Sequence, residues 1–176
     1  AMHGLTQRPS LVPELLPDVP PSRPGPVHFS LDRVPERERR GIYREFIGRS
    51  VARLDIEPIR DAPFEADFTL QSLPGLQLIS GRVHGSCNRR TRELLADGQD
   101  DFTMAVNLGG PYIVSQGQGE VVLGDGEATL VSAADLCSFT HYPPGDFLVL
   151  RFPRAQFAPL VTAAEEGSPP AAAAAS

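Results

Sequence analysis

Apolar residues along this chain follow two different periods. Between residues 35 and 53 (PERERRGIYREFIGRSVAR) the apolar positions Ile42, Tyr43, Phe46, Ile47 and Val51 recur at spacings of one, three and four. That spacing gathers them into one stripe of an α-helix. From residue 54 the period falls to two, in short runs at 55–58, 64–73, 76–85, 101–109, 112–116, 120–124, 127–132, 135–142 and 146–152. Alternation of this kind is the mark of strands with one buried face. Turn signals separate the runs, among them Pro74-Gly75, Gly109-Gly110-Pro111, Gly124-Asp125-Gly126 and Pro143-Pro144-Gly145. Many short strands at nearly even intervals predict a mainly β protein, either a double sheet or a barrel. The segment 88–97 (NRRTRELLAD) interrupts the alternation and reads as a polar loop with one helical turn. A final short helix is expected from Pro153, where PRAQFAPLV sets Phe157, Leu160 and Val161 on one face.

The ends of the chain have another composition. Residues 1–27 hold seven prolines, from Pro9 to Pro26, which remove backbone donors and block both helix and ladder, so this stretch reads as a mobile arm. Residues 163–176 end in GSPPAAAAAS and read as a linker-like tail. The domain proper is expected at 28–162, and a chain of 176 residues suits one domain plus such tails.

Charge narrows the partners. Residues 1–53 carry nine Arg against six acids, whereas 54–176 carry seven Arg against sixteen acids. The acidic barrel region repels a phosphate backbone. In the helix, Arg37, Arg39, Arg40, Arg44 and Arg49 alternate with Glu36, Glu38 and Glu45, the pattern of a solvated face with intrahelical pairs. Cys87 and Cys137 are the only cysteines, no CxxC pair exists, and the N-terminus lacks the apolar core of a secretory signal. A reduced, cytoplasmic setting is therefore expected, with both cysteines acting as small buried hydrophobes. No apolar run approaches the length of a membrane span.

The order of the pieces resembles a known family. The carriers are VPERERRGIYREFIGRSVARLDIEP, the DDFTMAVNLGG strand, the EVVLGDGEATLVSAAD hairpin and the closing LVLRFPRAQFAPL. Together they resemble the N-terminal, cupin-like regulatory domain of AraC-type transcriptional activators, over roughly residues 29–161. The resemblance implies a cupin-like double-stranded β-helix, or jelly-roll barrel, with an N-terminal amphipathic helix and a short C-terminal helix. It further implies a small-molecule effector, a homodimer, and DNA binding through a separate C-terminal pair of helix-turn-helix units. Only fifteen residues follow Val161, so no recognition helix is expected within this chain.

The candidate chemistry points to binding. A metal-dependent cupin enzyme needs imidazoles and a carboxylate converging from adjacent strands. No His-x-His occurs here, and His84 and His141 are the only histidines expected in the barrel. Neither a metal, another cofactor nor a catalytic residue is therefore expected. Cys137 and His141 share a strand face, yet four strand residues separate them by about 13 Å at roughly 3.3 Å per residue, too far for a nucleophile and its base. What remains is a ligand site on inward faces, with His141, Phe139 and Cys137 as first candidates and Asn107 and Tyr112 as second. Arg82 and His84 share a face that either lines a pocket or meets water. The dimer surface is expected on Ile42, Phe46 and Ile47 of the helix and on Phe157 and Leu160 of the final segment. Two alternatives stay open: a small metal-dependent cupin enzyme, and an interaction barrel filled by its own side chains.

Overall fold

Eleven of the described segments become strands, all paired antiparallel, in the computed structural model of this chain. The structure describes residues 25–157 and 159. The arm expected at 1–27 lies outside the described residues as far as residue 24, and the tail at 163–176 lies outside them entirely. The strands are β1 (Val27–Ser30), β2 (Asp55–Pro58), β3 (Glu65–Leu73), β4 (Leu76–His84), β5 (Ser86–Arg90) and β6 (Phe102–Gly109). They continue with β7 (Tyr112–Gln116), β8 (Gly119–Leu123), β9 (Ala128–Ser132), β10 (Cys137–His141) and β11 (Gly145–Phe152). One sheet has the order β1-β3-β4-β11-β6-β9 and the other β2-β5-β10-β7-β8. Their inner faces share one hydrophobic core, to which Phe68, Ile79 and Phe147 come from the first sheet and Ile56, Tyr112 and Val114 from the second. This is a cupin-like jelly-roll barrel.

The helix α1 (Glu36–Ser50) closes the side where the β1–β3 and β2–β5 edges meet. Its first turn carries Glu36 and Glu38 and its last turn Arg49, charges that complement the helix dipole. The apolar stripe is buried in the chain's own core: Phe46 stacks on Phe29 at 4.4 Å, and Tyr43 meets Phe64 edge-on at 5.3 Å. Arg39 pins the helix start by donating to the carbonyls of Val34 and Phe64, and the Gln77 amide donates to the Ser50 carbonyl at the other end. Burying a side chain such as Phe46 contributes on the order of 2–3 kcal/mol.

Two expectations are corrected here. The segment 88–97 is not all loop: Ser86–Arg90 is strand β5, at the centre of its ladder between β2 and β10, and the helical turn is confined to Leu94–Asp97. Ile42, Phe46 and Ile47 do not form a dimer surface, because each is at most 5 % exposed against the barrel. Phe157 packs on Phe102 and Phe152 within the helical residues 154–157, and Leu160 lies outside the described residues. Among the described residues no helix is long and apolar enough to cross a membrane.

Candidate ligand-binding cavity

Strand alternation sends Cys137, Phe139 and His141 of β10 to the barrel interior. In register beside them on β5 stand Arg90, Asn88 and Ser86, paired respectively with Cys137, Phe139 and His141. Of these, all but Ser86 line a cavity of about 80 Å³, together with Tyr112 of β7. Phe68, Ile79, Phe147 and Val149 form the facing wall, with Thr103, Val131 and Arg151 beside them. Tyr43, Ile47 and Val51 of the helix segment, followed by Ala52 and Leu54, cover the remaining side. An apolar cavity of roughly 150 Å³ admits benzene, so this space takes something smaller.

His141 is the polar centre of the cavity. The ring is stacked on Tyr112 at 4.9 Å and tilted against Phe147 at 5.3 Å, and makes no hydrogen bond among the described residues. Burial pushes its pKa down to about 4, which leaves the imidazole neutral at physiological pH. Asn88 is equally buried; its amide donates to the Tyr43 hydroxyl at 3.1 Å and its Oδ1 has no partner. Ser86, opposite His141, is also buried with an unpartnered hydroxyl. Burial raises the Cys137 thiol to about 11 and the Tyr112 and Tyr43 phenols above their ordinary values, the Tyr43 shift being eased by the bond from Asn88.

The two arginines at the other end of the cavity are each paired with a carboxylate. Arg90, 3 % exposed, grips Asp97 through two bonds of 2.7 and 2.9 Å and donates to the carbonyls of Ala133 and Arg53. That grip holds the Asp97 carboxyl below its usual range. Arg151 bonds Asp101 at 2.7 Å and Gln99 at 3.2 Å; burial lowers its pKa, against the pull of Asp101. Among the described residues no Asp or Glu lines the cavity.

Of the residues proposed from sequence, the structure brings Cys137, Phe139, His141 and Tyr112 together around the cavity. Asn107 stands elsewhere: it is fully buried beyond the cavity, donates to the carbonyls of Gly110 and Leu123, and accepts from the Gly109 amide, which makes it a staple of the β6–β7 turn. Arg82 points to solvent and pairs with Asp146, and His84 stacks on Tyr142 outside the cavity. Sequence reasoning missed Asn88, Arg90, Arg151 and the role of Tyr43. Asn88 and Arg90 belong to a strand whose inner face is polar, so alternation carried no signal; only Gly85, which turns β4 into β5 with a φ of +79°, marked the return of the chain. Cys87 and Cys137 are both buried and free, and the offset of their ladder partners, Thr140 and Arg90, puts them on opposite faces of the sheet. Among the described residues no three His, Cys, Asp or Glu side chains converge as a metal would require.

The sequence profile of the AraC-binding-like domain matches residues 43–176, well over half the chain. The chain belongs to the AraC-binding-like domain family. No curated protein matches its sequence. Among solved structures, this AraC-binding-like domain is similar to the AraC-like transcriptional activator CuxR, at a TM-score of 0.63 and 16 % identity. The superposition covers 80 % of this chain and 52 % of the activator, so the chain spans about half the length of that protein. At that identity the likeness is one of fold. A cupin protein from Bacteroides fragilis (TM-score 0.38, 11 % identity, covering 47 % of this chain and 70 % of that one) overlaps far less. So does Fe(II) HppE (TM-score 0.41, 15 % identity, 56 % of each chain), and neither bears on chemistry.

Proposed function

We propose that this AraC-binding-like domain is the ligand-sensing and dimerisation part of an AraC-type transcriptional regulator. In this reading a small effector enters the barrel cavity, and its binding biases how a DNA-binding module outside residues 1–176 is presented. The observation that carries the proposal is the cavity itself, beneath α1, with the Asn88 Oδ1 buried without a partner and the buried His141 ring making no hydrogen bond among the described residues. Buried polar atoms cost stability unless partnered, and a ligand supplies the partner. The helix placement supports transmission: α1 contributes Tyr43 and Ile47 to the cavity and spans both sheet edges, so a ligand pressing on these side chains acts directly on the element that closes the barrel.

The cavity favours binding over catalysis. Its thiol, imidazole and phenols are all held in their neutral forms, and Cys137 sits about four strand residues, ~13 Å, from His141. A cytoplasmic homodimer belongs to the same proposal, with Phe157 and Leu160 as the remaining interface candidates. The test is a fluorescence-anisotropy titration of promoter DNA at physiological salt. The expected result is no operator affinity for this chain, and an affinity of the longer protein that changes on adding a compound that stabilises this chain. Operator binding by residues 1–176 alone would overturn the division of labour.

A further inference from the structure

The cavity dictates the chemistry of its occupant. Charge is the first filter. No carboxylate lines the space to receive a cation, and both arginines that reach it are already bound to Asp97 and Asp101. Arg90 spends its donors on Asp97 and on the Ala133 and Arg53 carbonyls, so an anion gains a counter-charge there only by breaking a buried pair, which is costly. An uncharged ligand meets neither obstacle.

Hydrogen-bonding capacity is the second filter. Asn88 Oδ1 is an acceptor without a donor. His141, 7 % exposed and unpartnered among the described residues, presents one ring N–H and one bare nitrogen. The ladder register places Asn88 opposite Phe139, hence diagonal to His141 on the neighbouring strand and on the same face. Diagonal positions lie about 7–8 Å apart at Cα, a separation of the order that one oxygen with two bonds of ~2.8 Å spans. A hydroxyl, which donates and accepts at the same atom, satisfies both partners by donating to Asn88 Oδ1 and accepting from the His141 ring N–H. Size is the third filter: about 80 Å³ is roughly half the ~150 Å³ that admits benzene, and apart from the polar pair the walls are mainly aliphatic and aromatic.

We infer that the cavity recognises a small uncharged alcohol, whose hydroxyl donates to Asn88 Oδ1 and accepts from His141 while its short hydrocarbon part lies against Phe68, Ile79 and Val149. This rests on the reading of the cavity as the effector site. Burial of His141 leans the same way, since it keeps the imidazole neutral and offers the ligand no positive charge.

The test uses isotopically labelled chain and four probes with the same three-carbon chain: 1-propanol, propionate, propylammonium and propane. The chain has four histidines, so the His141 ring is resolvable by NMR, and the Asn88 side-chain amide gives a second signal. Propanol is expected to shift both signals saturably, with the two ions leaving them unmoved and propane binding more weakly. Asn88→Leu is expected to weaken propanol about tenfold, followed at the His141 ring. Because that change also frees the Tyr43 hydroxyl, His141→Phe provides a second variant with the same expected loss, followed at Asn88. Preferential binding of propionate or propylammonium would overturn the alcohol assignment while leaving the cavity as a ligand site. Equal binding of propane and propanol, unaffected by both variants, would overturn it in the same way. Entry of none of the four probes would overturn the ligand-site reading itself.

Discussion

Replacing His141 by Phe should remove most of the acid sensitivity of this fold between pH 7 and 5. The ring lies between Tyr112 and Phe147 with no carboxylate lining its cavity, and desolvation holds its pKa at about 4. In the unfolded chain the same group titrates near 6.5. Because the folded value is the lower one, the unfolded state binds the extra proton, and stability falls as pH drops from about 6.5 towards 4. The full difference of roughly 2.5 units corresponds to about 3 kcal/mol below pH 4, at ~1.4 kcal/mol per unit. Between pH 7 and 5 the linkage amounts to about 2 kcal/mol, since at pH 5 the unfolded imidazole is almost fully charged and the folded one almost fully neutral. Phe keeps the ring against Tyr112 and deletes the proton site. Urea unfolding of both proteins at pH 7 and pH 5 gives the number directly: the wild-type chain should lose about 2 kcal/mol more than His141→Phe over that interval. Carboxylates such as Asp97, held low by Arg90, contribute equally to both proteins and cancel. Equal pH slopes for the two would show that His141 is hydrated or charged in the folded state, and would refute the argument.

Four further outcomes follow from the packing. Phe46→Ala should cost about 3–5 kcal/mol by urea unfolding, and Asp at position 46 or 47 should yield unfolded protein rather than a folded monomer, because the stripe is buried against Phe29 and Phe68. Asp97→Ala should cost about 3 kcal/mol in the same assay, since it strands the Arg90 guanidinium in the barrel wall. Gly81→Ala should lower the unfolding free energy by about 1–3 kcal/mol or more in the same assay, because an added Cβ would stand 2.5 Å from the Phe68 backbone in the β3–β4 ladder.

The architecture was legible wherever burial was one-sided. Runs such as FEADFTLQSL put Ala66, Phe68 and Leu70 inward and polar residues outward, and the structure keeps that pattern. The helix was legible for the same reason, but its stripe is silent on what covers it; burial against its own barrel and burial against a partner demand the same residues. The cavity wall was half legible. In β10, Phe139 beside His141 betrayed an inner face, whereas β5 hides its inner face in Ser86, Asn88 and Arg90, residue types that ordinarily meet water. Arg90 is tolerated there only because Asp97, seven residues on, returns through the helical turn to neutralise it. Asn107 shows the opposite case: a buried amide correctly flagged as needing a partner, whose partners turn out to be turn carbonyls rather than a ligand.

The most direct test of the account is a crystal structure of this chain grown with 1-propanol, or equilibrated with it. The account predicts density between Asn88 and His141, in the cavity beneath α1, with an oxygen within hydrogen-bond distance of both side chains. A cavity collapsed onto its own side chains, or alcohol bound only on the outer surface, would contradict it.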